Sequence, residues 1–264
     1  MKPALLIFIN SLRAGGAERV VSQLLIHMKD DFDIHLALYS HIIEYDIPDG
    51  IRILDLKQSE NDGQMTMLLK LPWLSYKVSK YCKEHSITRS VAFLNRPCYI
   101  NALMRSCWGY RGRVVMCERT HESNMLKTKS FLTAIVTKFL IRFSYNRADL
   151  ILANAQAIKD DLHTNLNVKT PIDVIYNPID IKDLQHKMTL PVNIPLAKGT
   201  FHFIAVGNFR HEKNFLLLLH AFSLIKDLNC KILLVGDGPL RDILNQKVID
   251  LKITDQVIFC GRDN

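Results

Sequence analysis

Apolar residues along the chain fall into short runs separated by longer stretches where they recur every three or four positions. The runs at 5–9, 34–38, 51–54, 90–94, 113–117, 150–153 and 173–176 have strand length. Their largely apolar character suits strands covered on both faces. Between them the helical period predicts helices over 17–28, 65–82, 98–107, 128–145 and 155–166. In the first of these, Val20, Val21, Leu24 and Leu25 share one side. Pro72 lies inside the second, where its missing N–H is expected to break or kink the helix. Strand–helix alternation of this kind implies a parallel sheet with helices on both faces.

From 178 to 200 the pattern stops. Pro178, Pro191, Pro195 and Gly199 punctuate a polar stretch that reads as a linker. The alternation then resumes with strands at 201–206, 231–235 and 256–260 and helices at 214–226 and 239–251. The expected organisation is an N-terminal Rossmann-like domain at 1–177, a linker at 178–200 and a partial second domain at 201–264. The second part has about the size of one mononucleotide-binding half. The expected fold class is α/β, with two doubly wound parallel sheets of which the second is incomplete.

Three strand-to-helix turns carry candidate chemistry. Gly15 and Gly16 sit between the first strand and first helix, where glycine lets backbone N–H groups approach a phosphate or a sugar. The segment is neither a GxGxxG nor a P-loop, and a tight turn alone would also explain it. Asn208, Arg210 and Lys213 follow the strand at 201–206 and bring cations to a strand end, where a solvated charged turn is the alternative. Gly236-Asp237-Gly238-Pro239 follows the strand at 231–235 and ends on a Pro suited to a first helical turn.

Composition narrows the field. The formal charge of +8 favours an anionic partner, which could be nucleic acid, a membrane surface or a phosphorylated small molecule. Cys82, Cys98, Cys107, Cys117, Cys230 and Cys260 form no CxxC pair and no zinc-spaced cluster with His, so reduced thiols are expected. The N-terminal apolar run is short and lacks a cleavage site, and no run approaches the roughly 20 residues of a membrane-spanning helix. Asp31-Phe32-Asp33 has the form of a DxD metal motif, but it precedes a mid-domain strand and is read as coincidence. Lys127, Lys129, Lys138, Arg142 and Arg147 lie on a segment without an acidic residue after Glu122, interleaved with Phe131, Leu132, Ile135, Val136, Phe139, Leu140 and Phe143. Its apolar side is expected to pack on the sheet, while its charges draw the chain to an anionic membrane.

The segments at 11–20, 174–180, 206–214, 235–241 and 257–261, in this order and spacing, resemble glycosyltransferase family 4 along the whole chain. Within it, Phe93-Leu94-Asn95-Arg96-Pro97 and the segment 70–74 resemble the N-acetylgalactosaminyltransferases of bacterial Pgl protein N-glycosylation. The resemblance implies a GT-B fold and a retaining hexosyltransferase that moves a hexosamine, GalNAc, from a UDP-sugar to an undecaprenyl-diphosphate-linked glycan. It implies acceptor binding mainly on the N-terminal domain and nucleotide-sugar binding on the C-terminal one, without a metal or other cofactor. It places Gly15 and Gly16 near the donor phosphates, Lys213 on the diphosphate and Gly261 by the nucleobase, with Asn208, Arg210, Gly236 and Gly238 completing the donor set. Asn208 stands where the family usually has Arg, and Arg210 is close enough to substitute. His121 is the catalytic candidate, since many members place a His near here; a surface-loop His is the alternative. The family's Glu-x7-Glu element would lie beyond Asn264, so the resemblance implies a truncated chain with a crippled donor site. Two rivals stay open: a non-catalytic truncated gene product, and a GT-B epimerase of UDP-sugars, which would show carboxylates poised near the sugar. None is recognisable in the sequence. The expected setting is cytoplasmic, with peripheral attachment to the inner face of the membrane and no nucleic-acid partner.

Overall fold

The computed structural model describes residues 2–191, 196 and 198–261, in two compact units, Met1–Asp180 and Ile181–Asn264. Positions 192–195 and 197 of the expected linker, and 262–264 of the expected second domain, lie outside the described residues.

The first unit is built on a seven-stranded sheet of β1 (Ala4–Ile9), β2 (Asp33–Leu38), β3 (Arg52–Asp55), β4 (Arg89–Phe93), β5 (Arg113–Glu118), β6 (Leu150–Ala153) and β7 (Ile172–Val174). Its order is β3-β2-β1-β4-β5-β6-β7, with every neighbouring pair parallel. The chain starts in the middle and winds outward twice in opposite directions, so helices cover both faces. β1 shows why. Leu5, Ile7 and Ile9 join one core cluster, while Leu6 and Phe8 join the other. With a side-chain period of two, an uninterrupted apolar strand has two faces to bury. α1 (Gly16–Met28) covers the first face through Val20, Val21 and Leu25. The second face is covered by α2 (Gln64–Glu84), α3 (Asn95–Cys107), α5 (Phe131–Tyr145) and α6 (Gln156–Asp160), the last continuing into a π turn at Asp161–Asn165. A short α4 (Glu122–Lys127) precedes α5.

Two expectations need correction here. Pro72 does not break α2, which runs through it. The loss of one helix bond costs about 3 kcal/mol. The buried Met67, Leu71, Leu74 and Val78 each contribute about 1.5–3 kcal/mol, so packing outweighs it. The segment expected as one helix over 128–145 begins only at Phe131, and its apolar stripe packs on the core only in part, through Leu140 and Phe143. Phe131 (78% exposed), Leu132 (75%), Ile135 (51%) and Phe139 (65%) face outward, and Thr137, Ile141, Ser144 and Tyr145 are buried instead.

The second unit has α7 (Ile181–Lys187), β8 (Phe201–Val206), α8 (Phe215–Ser223), β9 (Cys230–Val235), α9 (Arg241–Asp250) and β10 (Val257–Gly261). Its parallel sheet has the order β10-β9-β8, and its core gathers Phe209, Phe215, Leu219, Ile232, Leu234 and Leu244. α7 lies within the stretch read as linker and buries no residue. Its local bonds include a Lys187–Asp183 ion pair at 2.9 Å.

Because α7 and residues 188–190 are exposed while the first sheet is closed on both faces, trypsin should cut first at Lys182, Lys187 or Lys198. A resistant fragment starting at the N-terminus and ending in that window is expected by mass spectrometry. Early cleavage inside β1–β6 would contradict the two-sided burial of the sheet.

Candidate active site

A strand buried on both faces leaves its ends as the places where polar side chains can meet a ligand. Asn10 directly follows β1, Leu94 follows β4, Glu118 ends β5 and Asn154 follows β6. A cavity of about 350 Å³ at these carboxyl ends is lined by Asn10, Glu60, Leu94, Asn95, Arg96, Glu118, Thr120 and Glu122. Leu94 stands at φ 70°, ψ 161°, a region that only glycine visits readily, at a cost of about 1–3 kcal/mol. The turn lets α3 begin at once and sends Asn95 and Arg96 to the cavity wall. Arg96 is held by the carbonyls of Glu60 (3.0 Å) and Asp62 (2.7 Å). A larger cavity, about 550 Å³, lies where β2 and β3 begin, lined by Asp33, Asp49 and Arg52 among others. That is the opposite end from where parallel sheets bind ligands. Asp33 of the DxD-like segment is engaged there with Arg52 at 3.0 Å. Among the described residues no three His, Cys, Asp or Glu side chains converge as a metal site requires.

Two carboxylates dominate the cavity. Glu118 is fully buried; the backbone N–H groups of Arg119 and Thr120 donate to one oxygen at 2.7 and 2.8 Å, and the Tyr145 hydroxyl donates to the other at 2.5 Å. Burial, with Glu122 nearby, pushes its carboxyl up to about 7. Glu122 accepts from Asn95 Nδ2 at 2.8 Å and is likewise raised by burial. Neither carboxylate is recognisable from the sequence as part of a site. Asn10 Oδ1, Arg119 Nε and Asn154 Oδ1, at the same strand ends, are buried without a hydrogen-bond partner. Buried polar atoms are normally satisfied, so three along one edge mark a place built for a polar ligand.

His121 caps α4, but Thr120 and Glu122 on either side line the cavity. Its Nδ1 lies 3.3 Å from Asp161 Oδ2. Burial of Asp161 is outweighed by hydrogen bonds from Ser123 and Asn165 and by His121, which hold its carboxyl below the usual range. Gly15 and Gly16 begin α1 beside this region. A Cβ on Gly15 would fall 2.3 Å from Glu18 Oε2, so the Glu18 carboxylate lies against the turn, raised by burial and by Glu60. Gly16 has open space around it.

In the second unit the predicted residues meet at the carboxyl ends of β8, β9 and β10. A Cβ on Gly236 would fall 2.0 Å from the Gly207 carbonyl oxygen, and one on Gly238 2.7 Å from that of Phe209. Gly236 N–H donates to Gly261 O at 2.7 Å, and Phe209 N–H to Asp237 O at 2.9 Å. Such close backbone packing is possible only without side chains. Asn208, half-buried, opens the loop; Arg210 and Lys213, both exposed, flank a 3-10 turn over His211–Lys213. The Lys213 stem passes over Gly207, with Cδ 3.8 Å from where a Cβ would stand. Cations and glycine turns thus share one strand edge, as an anionic ligand requires.

Two Rossmann-like parallel units, each with polar or cationic turns at the carboxyl ends of its strands, are the architecture of GT-B glycosyltransferases, and the chain shares that fold. Residues 14–183 match the model of Glycosyltransferase Family 4, and residues 189–264 that of Glycosyl transferases group 1. The chain belongs to glycosyltransferase family 4 and is by family a hexosyltransferase. It is 37% identical over 261 residues to the N-acetylgalactosamine-N,N'-diacetylbacillosaminyl-diphospho-undecaprenol 4-alpha-N-acetylgalactosaminyltransferase of Campylobacter jejuni, covering 98% of this chain and 69% of that protein. A second Campylobacter jejuni relative, the GalNAc-alpha-(1->4)-GalNAc-alpha-(1->3)-diNAcBac-PP-undecaprenol alpha-1,4-N-acetyl-D-galactosaminyltransferase, is 24% identical over 96% of this chain and 66% of its own. Among solved structures, Anabaena Alr3699/HepE in complex with UDP superposes with a TM-score of 0.69 at 19% identity, over 100% of this chain and 70% of its own. The lipopolysaccharide outer core galactosyltransferase WaaB gives 0.62 at 18%, over 98% and 68%.

The raised carboxyl of Glu118 has a consequence for stability. A group whose folded pKa lies above its unfolded value of 4.5 stabilises fully below 4.5 and loses that contribution as pH climbs through about 7. The depressed Asp161 acts only below its ordinary 3.8, outside this range. Glu118→Gln, which cannot titrate, should therefore melt higher than wild type at pH 8, with the gap closing towards pH 5. Parallel melting curves across pH 5–8 would show that Glu118 is not held desolvated.

Proposed function

We propose that this chain belongs to an enzyme that transfers GalNAc, with retention, from a UDP-sugar to an undecaprenyl-diphosphate-linked glycan. The observation that carries this reading is the 37% identity, along 98% of the chain, to a Campylobacter jejuni enzyme whose name states transfer of N-acetylgalactosamine to a diphospho-undecaprenol-linked glycan. The geometry supports it from both units. The first offers carboxylates, amides and a guanidinium for the hydroxyl and acetamido groups of an acceptor sugar: Glu118, Glu122, Asn10, Asn95 and Arg96. The second offers Lys213, Arg210 and closely packed glycine turns for a diphosphate.

In this reading an acceptor hydroxyl oxygen bonds to the anomeric carbon, the carbon–diphosphate bond breaks and UDP keeps the electron pair. The hydroxyl proton leaves for a base. Lys213, Arg210 and backbone N–H groups of the β8–α8 turn neutralise the charge that develops on UDP. That assignment calls for no metal ion. No helix among the described residues is long and apolar enough to cross a membrane.

The test is a transfer assay with UDP-GalNAc and a polyprenyl-diphosphate-linked glycan ending in N-acetylhexosamine, paired with calorimetry of UDP. Extension of the glycan by one residue is expected. Isomerisation of the UDP-sugar without acceptor would mark an epimerase instead. Lys213→Ala should weaken UDP binding about 10- to 100-fold, the worth of one charge-assisted hydrogen bond to a diphosphate. Equal affinities would remove Lys213 from the donor site.

A further inference from the structure

Glu118 on β5 and Glu122 on α4 line one cavity, and each is almost fully buried. Two like charges out of water oppose each other, so one of the pair tends to keep its proton. A chain of hydrogen bonds through α5 and α3 joins them. Glu118 Oε2 lies 2.5 Å from the Tyr145 hydroxyl, which lies 3.4 Å from Asn95 Oδ1. Asn95 Nδ2 then donates to Glu122 Oε1 at 2.8 Å.

Counting protons along this chain decides where the charge sits. The Tyr145 hydroxyl has one proton and two neighbours able to accept it. When Glu118 is ionised and takes that proton's bond, Asn95 Oδ1 has no donor among the described residues. A protonated Glu118 removes the conflict. Its Oε1 accepts the backbone N–H groups of Arg119 and Thr120, and its Oε2–H donates to Tyr145. Tyr145 donates to Asn95 and Asn95 to Glu122, so every bond points one way and the chain ends on a carboxylate. Bonds aligned in this way strengthen one another. Glu122 Oε2 accepts no hydrogen bond among the described residues, which leaves it for a ligand.

The surrounding groups fit this division. Among the described residues no cation forms an ion pair with Glu118. The thiols of Cys98 and Cys117 and the Tyr99 hydroxyl are pushed up by burial and stay neutral. The Arg119 guanidinium turns to the Phe93 ring, 5.2 Å away. Lys129 favours a charge on Glu122 and Asp161 opposes it, but His121 lies 3.3 Å from Asp161.

We propose that the pair carries one proton, held on Glu118, and that Glu122 is the ionised carboxylate that receives the acceptor hydroxyl and takes its proton. The hydroxyl proton passes to Glu122 Oε2 while the oxygen's electron pair bonds to the anomeric carbon. UDP leaves with the pair of the broken bond, and bulk water later takes the proton from Glu122. Glu118 and Tyr145 are positioning residues that act through Asn95. The inference deepens the functional reading and rests on it for the identity of the hydroxyl.

Infrared spectra of the full chain in D2O, across pH 5–9, follow the carbonyl stretch that a carboxylic acid shows and a carboxylate lacks. Glu18, also raised by burial, has a signal of its own, so the reading is the difference between wild type and variant. Glu118→Gln should lose a band that fades near pH 7 in wild type. Glu122→Gln should keep that band with a lower midpoint, because a neighbouring charge is gone; this variant reports even where Glu118→Gln does not fold. Tyr145→Phe should raise the midpoint, since a hydrogen bond to a charged group is the stronger one. A band that survives Glu118→Gln and is lost in Glu122→Gln would overturn the proposal, as would a wild type in which neither variant changes the band. This measurement contains neither donor nor acceptor, so it decides the proton's place whatever the transfer assay gives. In that assay Glu122→Gln should lower kcat about 100-fold or more, the usual worth of a positioned base. Wild-type turnover by Glu122→Gln would overturn the base role and assign the proton to the departing diphosphate.

Discussion

The structure depends on one constraint, the burial of both faces of the central parallel strands. Leu5 to Ile9 are at most 3% exposed, and Leu36 to Leu38 are fully buried. Such strands carry a polar side chain along their length only where a partner satisfies it, as Tyr81 does for His35 and Asn101 for Ser90, because an unpaired polar group in an apolar setting costs several kcal/mol. Polar chemistry is therefore driven to the strand ends. At the carboxyl ends the next residue turns into a helix N-terminus, where donors are unpaired. Asn10, Glu118 and Asn154 occupy those places, and the backbone of Leu94 takes a strained turn there.

The same constraint explains what the sequence reveals. The strand runs, the order of elements, the break before the second unit and the glycine turns at 15–16, 207 and 236–238 follow from apolar period and backbone chemistry. Element ends shift by a residue or a few, as for β3, read over 51–54 and found at Arg52–Asp55. The carboxylate cavity is harder to see. Glu118 closes an apolar run and Glu122 opens a helix four residues later, and nothing local says that burial holds both against Asn95 and Tyr145 from other elements. The usable signal is the first polar residue after each apolar run, which picks out Asn10, Glu118 and Asn154 together. The helix at 131–145 misleads for the opposite reason. Periodicity tells which residues share a side, but the sheet takes the side with Ile141, Ser144 and Tyr145, because that side also supplies Glu118 with a hydroxyl donor.

The two strand edges answer different electrostatic demands. In the first unit the cavity holds buried carboxylates with raised affinity for protons, beside amides and one guanidinium, a set matched to uncharged hydroxyl-rich ligands. In the second, exposed cations sit over glycine turns whose backbones approach to contact, a set matched to an anion. The reaction proposed above, between a neutral sugar hydroxyl and a nucleotide diphosphate, would set these two demands.

α5 links the outward-facing surface to the chemistry. Its exposed stripe ends at Phe139, and six residues later Tyr145 donates its hydroxyl to Glu118. Six residues of α-helix advance about 9 Å. A helix is stiff over that length, so the exposed turns of α5 and the hydroxyl donor of Glu118 move as one body. The buried carboxyl thus takes one of its three hydrogen bonds from an element whose N-terminal turns are open to solvent. Any force that shifts those turns shifts the donor, and with it the balance between burial and hydrogen bonding that sets the proton affinity of Glu118.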